Sequence, residues 1–199
     1  MLGQMMKRRA AGLTLIELMV AVAIAAVLLA IAAPSFRNFI LLQRLKGVQA
    51  QLVTDLQYAR SEAVARGVDV YVAFKTNSSM TCYSMYTSPT DATQCDCRSG
   101  AAAACSAVAG AREIRTVQVA AAQSVAVAAS GSSSWFAFDH ITGAMRISTA
   151  DTGGPPPTSF VVNTSIDSTR RYRTTVGAAG RPTVCAPAGS SSGLGVDAC

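Results

Sequence analysis

The sequence predicts an α+β fold: a long N-terminal α-helix, half apolar enough for a membrane and half amphipathic, packed on an antiparallel β-sheet globular domain. Three observations carry this reading. An uninterrupted apolar run from Leu18 to Ala33 follows a short basic leader, Lys7-Arg8-Arg9. Beyond it, apolar residues recur at mostly three- or four-residue steps, at Phe39, Leu42, Leu45, Val48, Leu52, Leu56 and Ala63, the period of a one-faced helix. From Val68 onward the pattern changes to short runs punctuated by glycine, proline and serine, as in antiparallel strands.

The first element begins at Gly12-Leu13-Thr14-Leu15-Ile16-Glu17-Leu18-Met19-Val20. Counted from Leu13, the apolar segment is long enough to cross a bilayer at about 1.5 Å per residue. Glu17 is out of place there, because an ionisable group at membrane depth costs about 2.5–3.5 kcal/mol. A secretory signal carries its small-residue cleavage site after the apolar run. Here Ala10-Ala11-Gly12 comes before it, so a cut at Gly12 leaves the helix on the mature chain. Lys7, Arg8 and Arg9 hold the N-terminus on the cytoplasmic side by the positive-inside bias. Pro34 removes a backbone bond inside the helical pattern and is expected to bend it. The amphipathic half ends near Arg66, where Gly67 is placed to cap it. Arg44, Lys46, Asp55, Arg60 and Glu62 fall mostly on its other faces, as surface pairs and contacts to the sheet rather than as catalytic groups.

Composition narrows the class. The chain has 199 residues, enough for one ordinary domain with an appendage. Aromatic residues are 6% and charged residues 14%, so the core is modest and the surface weakly charged. The formal charge is +6, of which three positive charges precede Gly12. The remainder allows a local basic patch without requiring a nucleic-acid coat. Cys82, Cys95, Cys97, Cys105, Cys185 and Cys199 all lie in the part expected to leave the cytoplasm, which favours disulfides. Zinc is disfavoured: the close pair is Cys95-Asp96-Cys97, and the single histidine, His140, is distant in sequence. Six cysteines admit many pairings. The expected arrangement joins Cys185 to Cys199 and keeps the other four among themselves.

The strand reading runs Val68 to Phe74, with Cys82 to Thr87 as hairpin partner. It continues at Glu113 to Val119, Ser124 to Ala128, Trp135 to Phe138, Ala144 to Ser148 and Phe160 to Asn163, then the basic strand Arg170 to Val176. The cysteine- and alanine-rich stretch from Asp91 to Ala109 has no period and reads as a disulfide-pinned insert. Gly153-Gly154-Pro155-Pro156-Pro157 reads as a loop, and Ala186 to Val196 as a flexible tail. His140 is expected in a turn. No catalytic set, phosphate loop, metal site or cofactor motif is found, and the chain is not expected to be an enzyme.

Several of these stretches resemble one family. Gly12 followed by Leu-Thr-Leu-Ile-Glu, with Glu17 the fifth residue after the glycine, resembles the processing site of type IV pilins and type II secretion pseudopilins. The run from Leu52 to Ala63 resembles the "L-x-x-A-R-S-E-A" helix of the GspH/FimT branch. Phe136 to Gly143 resembles its strand-turn, and Gly180-Arg181-Pro182-Thr183-Val184-Cys185 its terminal "G-R-x-x-x-C". The resemblance implies cleavage between Gly12 and Leu13, N-methylation of Leu13, pairing of Glu17 with a neighbour's amine, and a bend or melting point at Pro34. It implies a leader at 1–12, a transmembrane and assembly helix at 13–40, and a periplasmic GspH/FimT-like domain at 41–199. Implied partners are a prepilin peptidase, other minor pilins or pseudopilins, and an inner-membrane assembly platform. The implied place is the bacterial inner membrane, as a single-pass protein, and then a pilus or pseudopilus. An alternative implied by FimT members is DNA binding in natural transformation, through Arg181 with Arg170, Arg171 and Arg173. Thr183 stands where those members carry a second arginine. Alternation puts Arg171 and Arg173 on one face and Arg170 with Tyr172 on the other.

Overall fold

The computed structural model describes residues 14–90, 94–131, 133–147 and 158–199. The leader, Gly12, Leu13, Ser148 and the Gly153-to-Pro157 loop lie outside the described residues. The chain divides into two compact units between Ile40 and Leu41.

Helix α1 spans Leu15–Arg66. The Thr14 hydroxyl accepts a bond from the Glu17 amide at 3.3 Å, which caps one of the free donors at its start. At the other end Gly67 takes φ +64°, and its amide bonds Ala63 O at 3.1 Å. That left-handed step turns the chain out of the helix. In the second unit the helix buries Leu45, Gln49, Leu52, Leu56, Ala59 and Ala63, at alternating steps of four and three. The buried stripe therefore passes through Gln49, not Val48. The Gln49 amide nitrogen donates to Thr174 Oγ1 at 2.7 Å, which offsets part of the cost of burying it.

All strand pairings are antiparallel among the described residues. The first sheet has the order β3-β2-β1-β5-β6, from β1 (Val70–Thr76), β2 (Met80–Thr87), β3 (Arg112–Ala120), β5 (Trp135–Phe138) and β6 (Met145–Arg146). The second has the order β4-β7-β8-β9, from β4 (Ala126–Ser130), β7 (Ser159–Ser165), β8 (Arg171–Gly177) and β9 (Pro182–Cys185). Helix and both sheets share one core. Leu52 and Leu56 pack there with Val72, Phe74, Tyr83 and Phe136 of the first sheet and Val127, Phe160 and Val162 of the second. Phe160 joins the sheets, with ring centroids 4.6 Å from Phe136 and 5.7 Å from Phe74.

β1 differs from the alternating reading in being buried on both faces. Val70, Val72 and Phe74 point to the shared core. Tyr71 and Ala73 point the other way, into a second cluster with Tyr86, Trp135, Cys95, Ala104, Cys105 and Val108. The insert supplies the last four. It is pinned over the outer face by Cys82–Cys97 and Cys95–Cys105, while Cys185–Cys199 ties the tail. An alternating strand is half-exposed only when nothing covers its second face.

Candidate functional site

In the first unit the apolar side chains have nothing to cover them. Leu15, Ile16, Leu18, Met19, Val20, Val22, Ile24, Val27, Leu28, Leu29 and Ile31 are all exposed. Such a surface is stable in lipid or against other helices, not in water. Among the described residues no single helix is long and apolar enough to cross a membrane, but Leu15–Ile31 and Ser35–Arg66, taken as a bent pair, meet that test of length and composition. Glu17 lies in the first turn of α1 and is exposed. A carboxylate there is favoured by the helix dipole. It makes no hydrogen bond or ion pair with any described residue. Pro34 lies within the helix.

In the second unit, three stretches far apart in sequence meet at one point. Arg60 of α1 donates from Nε to Gly143 O at 2.9 Å. Gly143, at φ +65°, closes the turn between β5 and β6. Asp139 holds that turn by accepting from the amides of Ile141 (3.1 Å) and Thr142 (2.9 Å) and from the Thr142 hydroxyl (2.8 Å). Gly180, at φ +72°, sits in the β8–β9 turn against it, so close that a Cβ there would lie 2.0 Å from Gly143 O. The Met145 amide bonds Ala178 O at 3.0 Å, joining the two sheets at the same place. Next to this knot, Gln57, Arg60, Ser61, Val64, Arg181 and Pro182 line an open groove of about 530 Å³. No carboxylate lines it.

The four arginines read from the sequence do not form one cluster. Arg170 lies in the turn before β8, bonded to Asp167 at 2.6 and 2.8 Å. Its guanidinium, followed by backbone amides, holds the Asp167 carboxyl well below the usual carboxylate range. Arg171 and Arg173 share the outer face of β8, opposite buried Tyr172. Arg171 donates to Ala188 O at 2.9 Å, whereas Arg173 is exposed and has no partner among the described residues. Arg181, also exposed and unpartnered, stands at the far end of β9. Arg173 pairs in register with Cys185, so Arg181 is about 13 Å farther along the strand.

Other polar groups are structural. Asp55 is not on a solvent face of the helix: it is 1% exposed, accepts from the Tyr83 hydroxyl at 2.7 Å and pairs with Arg115 at 2.8 Å. Burial, with Asp55 second, pushes the Tyr83 phenol far up. The spacing held a signal for this, since Asp55 lies three residues after Leu52 and four before Ala59, on the buried stripe. Glu62 pairs with Arg66 on the helix surface. His140 occupies a turn, its Nδ1 2.7 Å from Asp69 Oδ1, and Arg146 binds the other oxygen of Asp69. Asp69, Asp139 and His140 bring ligand-type atoms within 4.8 Å of one another. His140 and Arg146 already engage the two oxygens of Asp69, and three donors converge on Oδ1 of Asp139, so the arrangement is poor for a cation.

A long helix with a bare apolar first half and a buried-stripe second half, packed on antiparallel sheet, defines a pilin-like α+β protein. The family profile described as type II transport protein GspH matches residues 49–180, and that of the prokaryotic N-terminal methylation motif matches residues 7–33. The chain belongs to the GspH family. No curated protein and no solved structure matched it.

Proposed function

We propose that the chain is a minor pilin or pseudopilin, a structural subunit of a type IV pilus or type II secretion pseudopilus. In this reading a prepilin peptidase cuts between Gly12 and Leu13 and Leu13 is N-methylated. The helix holds the subunit in the inner membrane with its globular unit in the periplasm, until it joins other pilins or pseudopilins on an assembly platform. Residues 1–12 are then leader, 13–40 the transmembrane and assembly helix, and 41–199 the periplasmic domain. The observation that carries the reading is the methylation motif at 7–33 placed directly before the GspH match at 49–180. Glu17 acts chemically: a free amine buried among packed helices is costly unless paired, and a carboxylate five residues into the mature chain can neutralise a neighbour's amine and fix register. Pro34 supplies the weak point at which the helix bends. The test is mass spectrometry of the protein purified from membranes. It should begin at an N-methylated Leu13, and an intact leader or a cut elsewhere overturns the reading.

A second reading, DNA uptake, draws on Arg173 and Arg181, which are exposed without side-chain partners among the described residues. Arg170 and Arg171 are already engaged and contribute less. Retardation of a short single-stranded oligonucleotide should be steeply salt-dependent and weaken in Arg181→Ala. No retardation at low salt removes it.

A further inference from the structure

The three disulfides differ in what can reach them. Cys82, Cys95, Cys97 and Cys105 are buried beneath the insert. Cys185 is half-buried and Cys199 is exposed. In thiol–disulfide exchange a thiolate must reach one sulfur of the bridge, so access decides which bridge reacts. Cys199 is the one exposed half-cystine of the six.

This bridge holds a strap. From Pro187 to Cys199 the chain folds back over the start of β8 and the end of β9. Arg171 Nη2 donates to Ala188 O at 2.9 Å, Ser191 N to Thr169 O at 2.7 Å, and the Tyr172 hydroxyl to Leu194 O at 2.8 Å. Leu194, 3% exposed, joins the shared core. The strap's own grip is slight. Val196, Asp197 and Ala198 are exposed, so Leu194 is its chief apolar anchor. The run Gly189-Ser190-Ser191-Ser192-Gly193 costs much backbone entropy to order. Covalent closure at Cys199 removes most of the freedom that the strap would gain by leaving.

The strap also covers a sheet edge. Gly177 N bonds Arg181 O, so along this antiparallel ladder Thr183 and Cys185 face β8, and residues 182, 184 and 186 turn their backbone groups outward. Pro182 has no N–H to offer. Ala186 is taken by the strap: its N donates to Asp197 O at 2.8 Å, and its O accepts from Cys199 N at 2.9 Å. Val184 is left as the one residue of β9 with an unpaired outward N–H among the described residues. An edge closed in this way resists strand addition.

We propose that Cys185–Cys199 is a thiol-exchange site for a dithiol protein. Its reduction lifts the strap, withdraws Leu194 from the core and frees the edge at Ala186, while the insert stays closed. One thiolate of the dithiol attacks Cys199 Sγ. The S–S bond breaks, and its electron pair leaves on Cys185 Sγ, which takes a proton. The second thiol of the dithiol gives up its proton and attacks the dithiol's own sulfur in the mixed disulfide. Cys199 leaves as a thiolate and is protonated. The dithiol is oxidised to a disulfide, and two cysteine thiols remain on the chain.

The test uses the full-length chain in detergent-solubilised membranes. After timed exposure to dithiothreitol, free thiols are blocked with N-ethylmaleimide and located by mass spectrometry. Positions 185 and 199 should label at least about tenfold faster than 82, 95, 97 and 105. At that stage deuterium uptake at the Ala186 and Ser191 amides should quicken by about tenfold or more, while Trp135 emission stays in place. Cys185→Ser with Cys199→Ser should show the same uptake without reductant, and its unchanged Trp135 emission shows that the unit is folded. A Cys-x-x-Cys oxidoreductase with serine for its second cysteine, quenched with N-ethylmaleimide, should be caught on Cys199. The proposal is overturned if the insert cysteines label as fast, if the oxidoreductase is caught on them, or if Ala186 and Ser191 stay protected once 185 and 199 are reduced. The N-terminal mass is read separately, so the subunit reading stands or falls independently.

Discussion

Replacing Gly180 by alanine tests whether the knot is built as described. Two costs apply. At φ +72° an alanine pays the left-handed penalty, about 1–2 kcal/mol. Its Cβ would also lie 2.0 Å from Gly143 O, more than 1 Å inside ordinary contact, so the two turns must part. Parting them releases the Arg60 Nε bond to Gly143 O, a charge-assisted bond of the kind that contributes about 1.5–3 kcal/mol. The expected loss is therefore about 2.5–5 kcal/mol. Gly189 is the control: at φ +79° with nothing within 4 Å of a built Cβ, its alanine variant pays the backbone cost alone, about 1–2 kcal/mol. Urea unfolding with disulfides intact reads both, using Trp135, the single tryptophan, 3% exposed. Arg60→Gln completes a double-mutant cycle. In the wild-type background it should cost about 1.5–3 kcal/mol, and in Gly180→Ala much less, because the bond is already gone. Equal costs for Gly180→Ala and Gly189→Ala, or full additivity with Arg60→Gln, would refute the close approach.

Other expectations follow from the same contacts. Asp55→Ala strands a buried Tyr83 hydroxyl and the Arg115 charge. It should cost near the lower end of about 3–5 kcal/mol, since the Arg115 side chain is 48% exposed, and Tyr83→Phe should cost only about 1 kcal/mol; equal losses by denaturation would contradict the ion pair. Reducing Cys82–Cys97 and Cys95–Cys105 should free the insert, shift Trp135 emission to longer wavelength and admit iodide, whereas Cys185→Ser with Cys199→Ser should leave the emission in place. Asp139 is held below its ordinary range first by the Thr142 amide and hydroxyl, and Asp167 by Arg170. A depressed folded-state pKa gives stability that is present above the unfolded value, about 3.9, and lost as pH falls below it. The Asp139→Asn, Asp167→Asn double variant should therefore be less stable at neutral pH and show a flatter acid limb below about pH 4; an unchanged limb would show that neither carboxylate contributes.

The helix was legible because its periodicity is long. Each step from Leu45 to Ala63 repeats the same geometric statement, and the Glu17 anomaly stands out against an apolar run. Strand positions from β1 to β8 were legible to within a few residues, because glycine and proline mark the turns; β9, four residues beginning at a proline, was not read as a strand. What periodicity could not give was the content of the buried stripe. Gln49 and Asp55 sit in it because Thr174, Tyr83 and Arg115, distant in sequence, supply their partners. Burial of both faces of β1 was hidden for a related reason, since the cover comes from an aperiodic insert placed by disulfides. The Arg60, Gly143 and Gly180 stretches were each visible, but only the fold shows that they are one device.

That device gives a physical reason for those residue types. A guanidinium that must reach a backbone carbonyl beneath two turns needs a long, planar donor that stays charged, which lysine does not reproduce. The two turns can lie against each other only if residue 180 lacks a Cβ, and the Arg60 side chain can pass over the first turn only because residue 143 lacks one; both positions also take positive φ, which favours glycine. Once the turns are so placed, Arg181 lines one groove with Arg60 and has no side-chain partner among the described residues. The groove's uncompensated charge is thus a by-product of the packing that joins helix to sheets.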